Sequence, residues 1–307
     1  MTYILTTLFP IFGLIFLGFA GRRTQRLGAT AASELNRFVV WFGLPSLLFL
    51  LTATTPFAEI WHPGFVLAFT LSTLFVFAAT LIARRIKGMP LSSASLDALG
   101  ASYANTGYIG IPLCLFVLGQ DGMAPALVSS LVVVSVLFAI AVICVEVSLH
   151  AGHSLLKTAG KVSMAVLKNP LVVSPVAGLL WNAAGVELPQ VVHSLLKLLG
   201  DATVPCALIS LGAFLAHKQS GVVKGATSLV LIKLVLHPLL TWLLVRYVFD
   251  MPLLWANAAV LLAALPTGTG PYMLAEFYKH EASVVSRTIL WSTAGSVLTL
   301  AALLMVL

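Results

Sequence analysis

Ten apolar runs divide this chain, and only short links join them. An α-helix needs about 20 apolar residues to cross the hydrocarbon core of a bilayer. The runs fall at 3–21, 34–54, 63–85, 94–119, 123–149, 170–187, 190–216, 222–249, 253–279 and 283–306. No link is long enough for a soluble domain, and the longest, 150–169, is short and basic. Only 9% of the residues are charged, against about 25% in soluble domains. The hydrophobic share is 60% and the mean hydropathy +1.05. So few charges cannot build a water-facing surface. The pattern predicts an all-α integral membrane protein of ten transmembrane helices. Met1–Ala20 has no positive region ahead of its apolar stretch, and the basic cluster comes after it, so this segment reads as the first span rather than a cleaved signal peptide.

The net charge of +7 would suggest nucleic acid in a soluble protein. Here the basic residues sit in the links, so the membrane explains them and no nucleic-acid partner is expected. Arg22, Arg23 and Arg26 follow the first run, and Arg84, Arg85 and Lys87 follow the third. Lys157, Lys161 and Lys168 follow the fifth, Lys218 and Lys224 the seventh, and Lys279 and Arg287 flank the ninth link. The opposite links hold almost none, Arg246 being the exception. A multi-pass protein of the cell (inner) membrane, with both termini on the non-cytoplasmic side, is the expectation. Cys114, Cys144 and Cys206 all lie inside apolar runs without CxxC or Cys/His spacing, so neither a disulfide framework, a metal site nor a cofactor is expected.

The two halves of the chain match. A shift of 160 brings Pro10 onto Pro170, Gly18 onto Gly178 and Pro45 onto Pro205. A shift of 159 brings Pro112 onto Pro271 and Gly110 next to Gly270. Five spans per repeat is an odd number, so the halves, 1–150 and 169–307, would enter the membrane with opposite orientation. Inverted repeats of this kind underlie many secondary transporters.

The fourth and ninth runs carry the most information. One reads Ala104-Asn105-Thr106-Gly107-Tyr108-Ile109-Gly110-Ile111-Pro112, the other Ala264-Leu265-Pro266-Thr267-Gly268-Thr269-Gly270-Pro271-Tyr272. Proline removes a backbone donor and crowds the preceding turn, and glycine permits unusual dihedrals. Freed backbone groups at bilayer depth survive only against protein or a water-filled cavity. Breaks at matching places in two halves point to a substrate site; a pair of shaping kinks is the plainer alternative. If the breaks meet, half-helix N-termini would favour an anion such as a carboxylate. Asn105, Thr106, Thr267 and Thr269 could add uncharged hydrogen bonds.

Charges within spans are costly and are functional candidates. Asp201 precedes Pro205 by one turn; it serves function, lies near the outer interface or pairs with Lys197. Lys233 is either buried or snorkels toward the cytoplasmic side. His237, followed by Pro238, could titrate in the physiological range or support a kink. Glu146 and Glu276 sit near inner helix ends and read as interfacial.

Asn105-Thr-Gly-Tyr-Ile-Gly-Ile-Pro-Leu113 and Ala264-Leu-Pro-Thr-Gly-Thr-Gly-Pro-Tyr272 resemble the fourth- and ninth-helix motifs of the auxin efflux carrier family. Asp201 through Ala216 and Asn169-Pro170 are similar to its seventh and sixth helices. The resemblance covers essentially the whole chain. It implies the fold of bile-acid/sodium symporters: helices 4 and 9 broken and crossing in a transport domain of helices 3–5 and 8–10, with helices 1, 2, 6 and 7 as a scaffold. It implies an elevator-like motion and a homodimer. The substrate site would comprise Asn105, Thr106, Gly110, Pro112, Pro266, Thr267, Gly268, Thr269 and Pro271, with Asp201, Lys233 and His237 as supporting or coupling groups. The chain departs from the plant carriers in its short link between helices 5 and 6. It looks instead like bacterial members, whose typical substrates are small organic acids such as malonate or malate.

The expectation is therefore a secondary transporter of small organic anions. The alternative is a sodium- or proton-coupled symporter, and hard cations want oxygen ligands that these motifs supply only as amides and hydroxyls. No HExxH, GxSxG or paired intramembrane carboxylates suggest an enzyme.

Overall fold

The computed structural model describes residues 2–56, 60–149, 160, 164, 167–216 and 225–306, the side chains of residues 2–7 and of Glu276 aside. Lys157, Lys161, Lys218 and Lys224 lie outside the described residues. The regular elements of the described residues are helices: α1 Thr2–Arg23, α2 Ala31–Thr54, α3 Pro63–Ile86, α4 Leu91–Ser102, α5 Thr106–Leu118, α6 Gln120–Leu149, α7 Pro170–Ala183, α8 Gln190–Leu215, α9 Ala226–Tyr247, α10 Leu253–Ala263, α11 Gly270–Phe277 and α12 Ser283–Leu303. Among the described residues, α2, α3, α6, α8, α9 and α12 are long and apolar enough to cross a membrane, and α5, α7 and α10 are shorter apolar helices. The fourth run thus begins at Leu91 rather than 94, and the sixth ends at Ala183 rather than 187. A proline or glycine sets each boundary: Pro90, ahead of the fourth run, is the N-cap of α4, and Gly185, within the sixth run, takes a positive φ of 66° after α7.

Proline also explains a less visible feature. Three helices contain a π turn directly before a proline: Val39–Gly43 before Leu44-Pro45, Thr106–Gly110 before Ile111-Pro112, and Ile232–Leu236 before His237-Pro238. The proline ring would crowd the carbonyl of the preceding turn, and a wider i→i+5 turn makes room for it. A fourth π turn, Val132–Leu137 in α6, has no proline after it.

The chain forms two compact units. The first comprises Met1–His62, Gly107–Val128 and Lys168–Lys218. Inside it, helices meet through glycine. A Cβ at Gly18 would collide with the Ile209 carbonyl, and one at Gly212 with the Ile15 carbonyl, so α1 and α8 touch backbone to backbone. A Cβ at Gly178 of α7 would lie 2.6 Å from the Phe49 carbonyl oxygen of α2, and one at Gly43 would lie 2.5 Å from Thr203 Oγ1. Lipid is as apolar as leucine, so such close packing, rather than hydrophobic burial, drives association between spans. Side chains then bind exposed carbonyls. Ser210 Oγ donates to Ala32 O at 2.8 Å, and Asn182 Nδ2 to Ala53 O at 3.0 Å. Asn169 caps α7 by accepting from Leu171 N at 2.9 Å, with Pro170 at the first helical position. The Tyr108 hydroxyl donates to Asn36 Oδ1.

The second unit comprises Pro63–Thr106, Ser129–Leu167 and Gln219–Leu307. One corner is tied by Arg84. Its Nε meets Asp97 Oδ2 at 2.8 Å, and the pair is largely buried. Its Nη2 donates to Gly225 O at 3.1 Å and to Ser228 Oγ at 3.2 Å. Arg84 therefore joins the end of α3, the body of α4 and the start of α9. Gly225 stands at φ +103°, a left-handed conformation that suits glycine. Buried hydroxyls on α4 and α12 return to their own helices: Ser102 donates to Ala98 O and Ser296 to Thr293 O, both at 2.8 Å.

Candidate functional site

Within the second unit the chain leaves helical form at 103–105 and at 264–269, and these two segments pair. Asn105 N donates to Pro266 O at 2.9 Å and Gly268 N to Tyr103 O at 3.0 Å, around an antiparallel bridge between Ala104 and Thr267. Two short extended segments thus satisfy each other where neither helix can continue. The surroundings are enclosed: Ala104 and Thr267 are fully buried, and Asn105 and Thr106 nearly so. Tyr103 lies across the glycines of the other segment. A Cβ at Gly268 would stand 3.0 Å from its ring, and one at Gly270 would stand 2.5 Å from its Cζ. The ring meets Phe138 edge-on at 6.3 Å between centroids. Sequence reasoning passed over Tyr103; its signal was a bulky aromatic immediately before one break and two glycines in the other.

The end of each interrupted helix is closed by a side chain. Gly100 O in α4 accepts from Thr267 Oγ1 at 2.7 Å. Ala263 O, the last carbonyl of α10, accepts from Lys233 Nζ at 2.6 Å. Thr267 N, whose regular helical acceptor would be Ala263 O, donates instead to Ser292 Oγ at 3.0 Å. Lys233 does not snorkel: its side chain is fully buried. Its Nζ also stands 3.2 Å from His237 Nδ1, and His237 Nε2 stands 3.2 Å from Thr73 Oγ1. An ammonium has only donors. With Lys233 charged, Nδ1 therefore accepts and Nε2 carries the proton toward Thr73. Thr241 Oγ1 lies 2.9 Å from both His237 O and Ser72 Oγ. Thr73, Ser292 and Ser72 were not singled out from the sequence, since lone hydroxyls are common in spans.

Residues 3–304 match the family described as membrane transport protein. A protein of Rhizobium meliloti (strain 1021) named "Putative malonate transporter" is 31% identical, over 96% of this chain and 93% of its own length. The chain belongs to the auxin efflux carrier family of membrane transport proteins. An uncharacterized transporter of Methanothermobacter thermautotrophicus is 26% identical over 96% of this carrier and 95% of its own length. Auxin efflux carrier component 8 of Arabidopsis thaliana is 28% identical over 130 residues, 40% of this carrier and 35% of its own length. The carrier is thus a multi-pass membrane transporter.

The remaining candidates are distributed. Pro266, Thr267 and Gly268 lie in the paired segment with Asn105, while Thr269, Gly270 and Pro271 open α11, with Thr269 O accepting from Met273 N at 3.0 Å. Thr106 begins α5, but Gly110 and Pro112 belong to the first unit. Asp201 also belongs to the first unit; it is exposed and pairs with Lys197 at 2.8 Å. Glu146 accepts from the Tyr278 hydroxyl at 2.6 Å. The side chain of Glu276 is outside the described residues.

Proposed function

We propose that the chain is a secondary transporter of small organic anions, with dicarboxylates such as malonate as the first candidates, and that the carboxylate binds where the two interrupted helices cross. The observation that carries this reading is the pairing of 103–105 with 266–268, which makes α5 and α11 both begin at one crossing. Helix N-termini offer unsatisfied N–H groups and the positive end of the dipole. An anion is held there without a fixed cation. Asn105, Thr106 and Thr269 are the polar side chains next to those starts, with Pro266, Thr267, Gly268, Gly270 and Pro271 shaping the break. The malonate named for the Rhizobium meliloti relative supports the same substrate class.

The reading includes ten spans in two inverted repeats. Contacts inside the first unit support it. Gly18 lies against the Ile209 carbonyl, and Gly178 against the Phe49 carbonyl. Moving 18 and 49 forward by 160 gives 178 and 209, so the two contacts are copies with their partners exchanged. Gly43 and Thr203, also 160 apart, touch each other, as residues on a pseudo-two-fold axis must. The reading also includes an elevator-type mechanism, as the family resemblance implies; helices 1, 2, 6 and 7 fall in one compact unit and most of 3–5 and 8–10 in the other. A homodimer and both termini outside the cytoplasm complete the proposal.

The test is uptake of radiolabelled malonate, malate and indole-3-acetate into liposomes holding the purified protein, with and without sodium and pH gradients. Saturable uptake of one acid, lost in Asn105→Ala, is the expected result, and the gradient dependence assigns coupling to sodium, to protons or to neither. Folded, inserted protein that moves none of the acids overturns the anion reading.

A further inference from the structure

We propose that Lys233 is the positioning residue of the α10–α11 break: its Nζ replaces the Thr267 amide on Ala263 O and so holds Pro266–Gly268 in extended form. In an uninterrupted helix the Thr267 N–H would donate to Ala263 O. Two substitutions undo that bond together. Lys233 Nζ occupies the carbonyl at 2.6 Å, and Ser292 Oγ takes the amide at 3.0 Å. Pro266 adds to the break, because it has no N–H to offer Leu262 O in the preceding turn. The freed segment can then pair with Tyr103–Asn105. A lysine also suits this place electrostatically, since it meets the negative end of the α10 dipole.

Besides Ala263 O, Lys233 Nζ is held by His237. His237 Nδ1 lies 3.2 Å away on the same helix, Thr73 fixes the far side of the imidazole, and the whole side chain is out of contact with solvent. It lies in the π turn Ile232–Leu236, which the following Pro238 accompanies. Among the described residues no carboxylate pairs with it. Its donors are therefore directed at a backbone carbonyl and an imidazole and not at an ion-pair partner. Buried and engaged in this way, Lys233 has its donors turned to the protein rather than to a ligand. It acts through the backbone of α11, whose start it places. That last step rests on the anion site proposed above; the cap itself does not.

The test compares Lys233→Met with Lys233→Gln. The two side chains are close in size, and only glutamine keeps an N–H donor, one bond nearer the backbone than Nζ. Hydrogen exchange followed by mass spectrometry on the purified protein reads the break directly. In Lys233→Met, peptides covering 260–270 are expected to exchange at least tenfold faster, with the other spans as in the parent, and Lys233→Gln should fall between. Ser292→Ala removes the acceptor of the Thr267 amide and should speed exchange in the same peptides, which keeps the idea testable if the lysine variants do not fold. In malonate uptake, Lys233→Met should raise KM about tenfold or more, with a smaller change in maximal rate. Parental exchange over 260–270 in both Lys233→Met and Ser292→Ala overturns the cap, whatever the carrier transports. If exchange changes as expected but the parent moves no acid, the cap stands and the anion reading falls.

Discussion

Tyr103 decides what residue 270 can be. A methyl group at Gly270 would sit 2.5 Å from Cζ and 2.8 Å from the hydroxyl of a ring that Phe138 already backs. Overpacking of this kind costs about 1–3 kcal/mol. Gly270→Ala is therefore expected to lower the melting temperature by several degrees and to cut malonate uptake at least tenfold, while Gly28→Ala, with no atom within 4 Å of its Cβ, should do neither. The Arg84–Asp97 and Lys197–Asp201 ion pairs behave differently for a similar reason of environment. Removing one partner of a buried pair leaves an uncompensated charge and costs about 3–5 kcal/mol. Asp97→Leu should destabilise strongly, and Arg84→Leu/Asp97→Leu should recover part of the loss in the same thermal melt. The Lys197–Asp201 pair is more than half exposed on both sides, and Asp201→Asn should leave the melt unchanged.

At the scale of helices, glycine contacts hold the first unit. Gly18→Val should push α1 off α8, because the added carbons meet the Ile209 backbone rather than a side chain that can turn away. Loss of the monodisperse peak in size-exclusion chromatography checks it. Much at this scale was legible beforehand. Apolar runs marked the six long spans among the described residues, and clustered glycine and proline marked the ninth-run interruption at 264–269; the fourth-run interruption falls at 103–105, ahead of Gly107, Gly110 and Pro112, which lie inside α5. The partners were not legible. Lys233 closes a helix by binding the carbonyl of Ala263, and a backbone acceptor leaves no mark on residue choice. Ser292 is one hydroxyl among several on α12. Asp97 lay inside the fourth run and escaped notice because its partner, Arg84, reads equally well as a topological charge. The motif around Pro112 was legible as a unit in sequence, yet the chain passes from one compact unit to the other between Thr106 and Gly107, a division that depends on distant contacts.

For the whole molecule, the distribution of charge carries a prediction of sidedness. Single cysteines placed at Lys87 and at Asp250, in a background lacking Cys114, Cys144 and Cys206, should react with a membrane-impermeant thiol reagent from opposite faces, with Lys87 on the cytoplasmic one. Labelling of both from the same side would remove a span from the count. The π turns bear on how such molecules diverge. Each stores one residue more than an α turn needs, so the helix on either side keeps the faces it would have if that residue were deleted. Single-residue gaps between related carriers are therefore to be expected at 39–43, 106–110, 132–137 and 232–236, in the middle of spans rather than in the links. An ungapped alignment through such a place puts every residue beyond it out of phase by about 100°, and would assign lipid-facing positions to the interior.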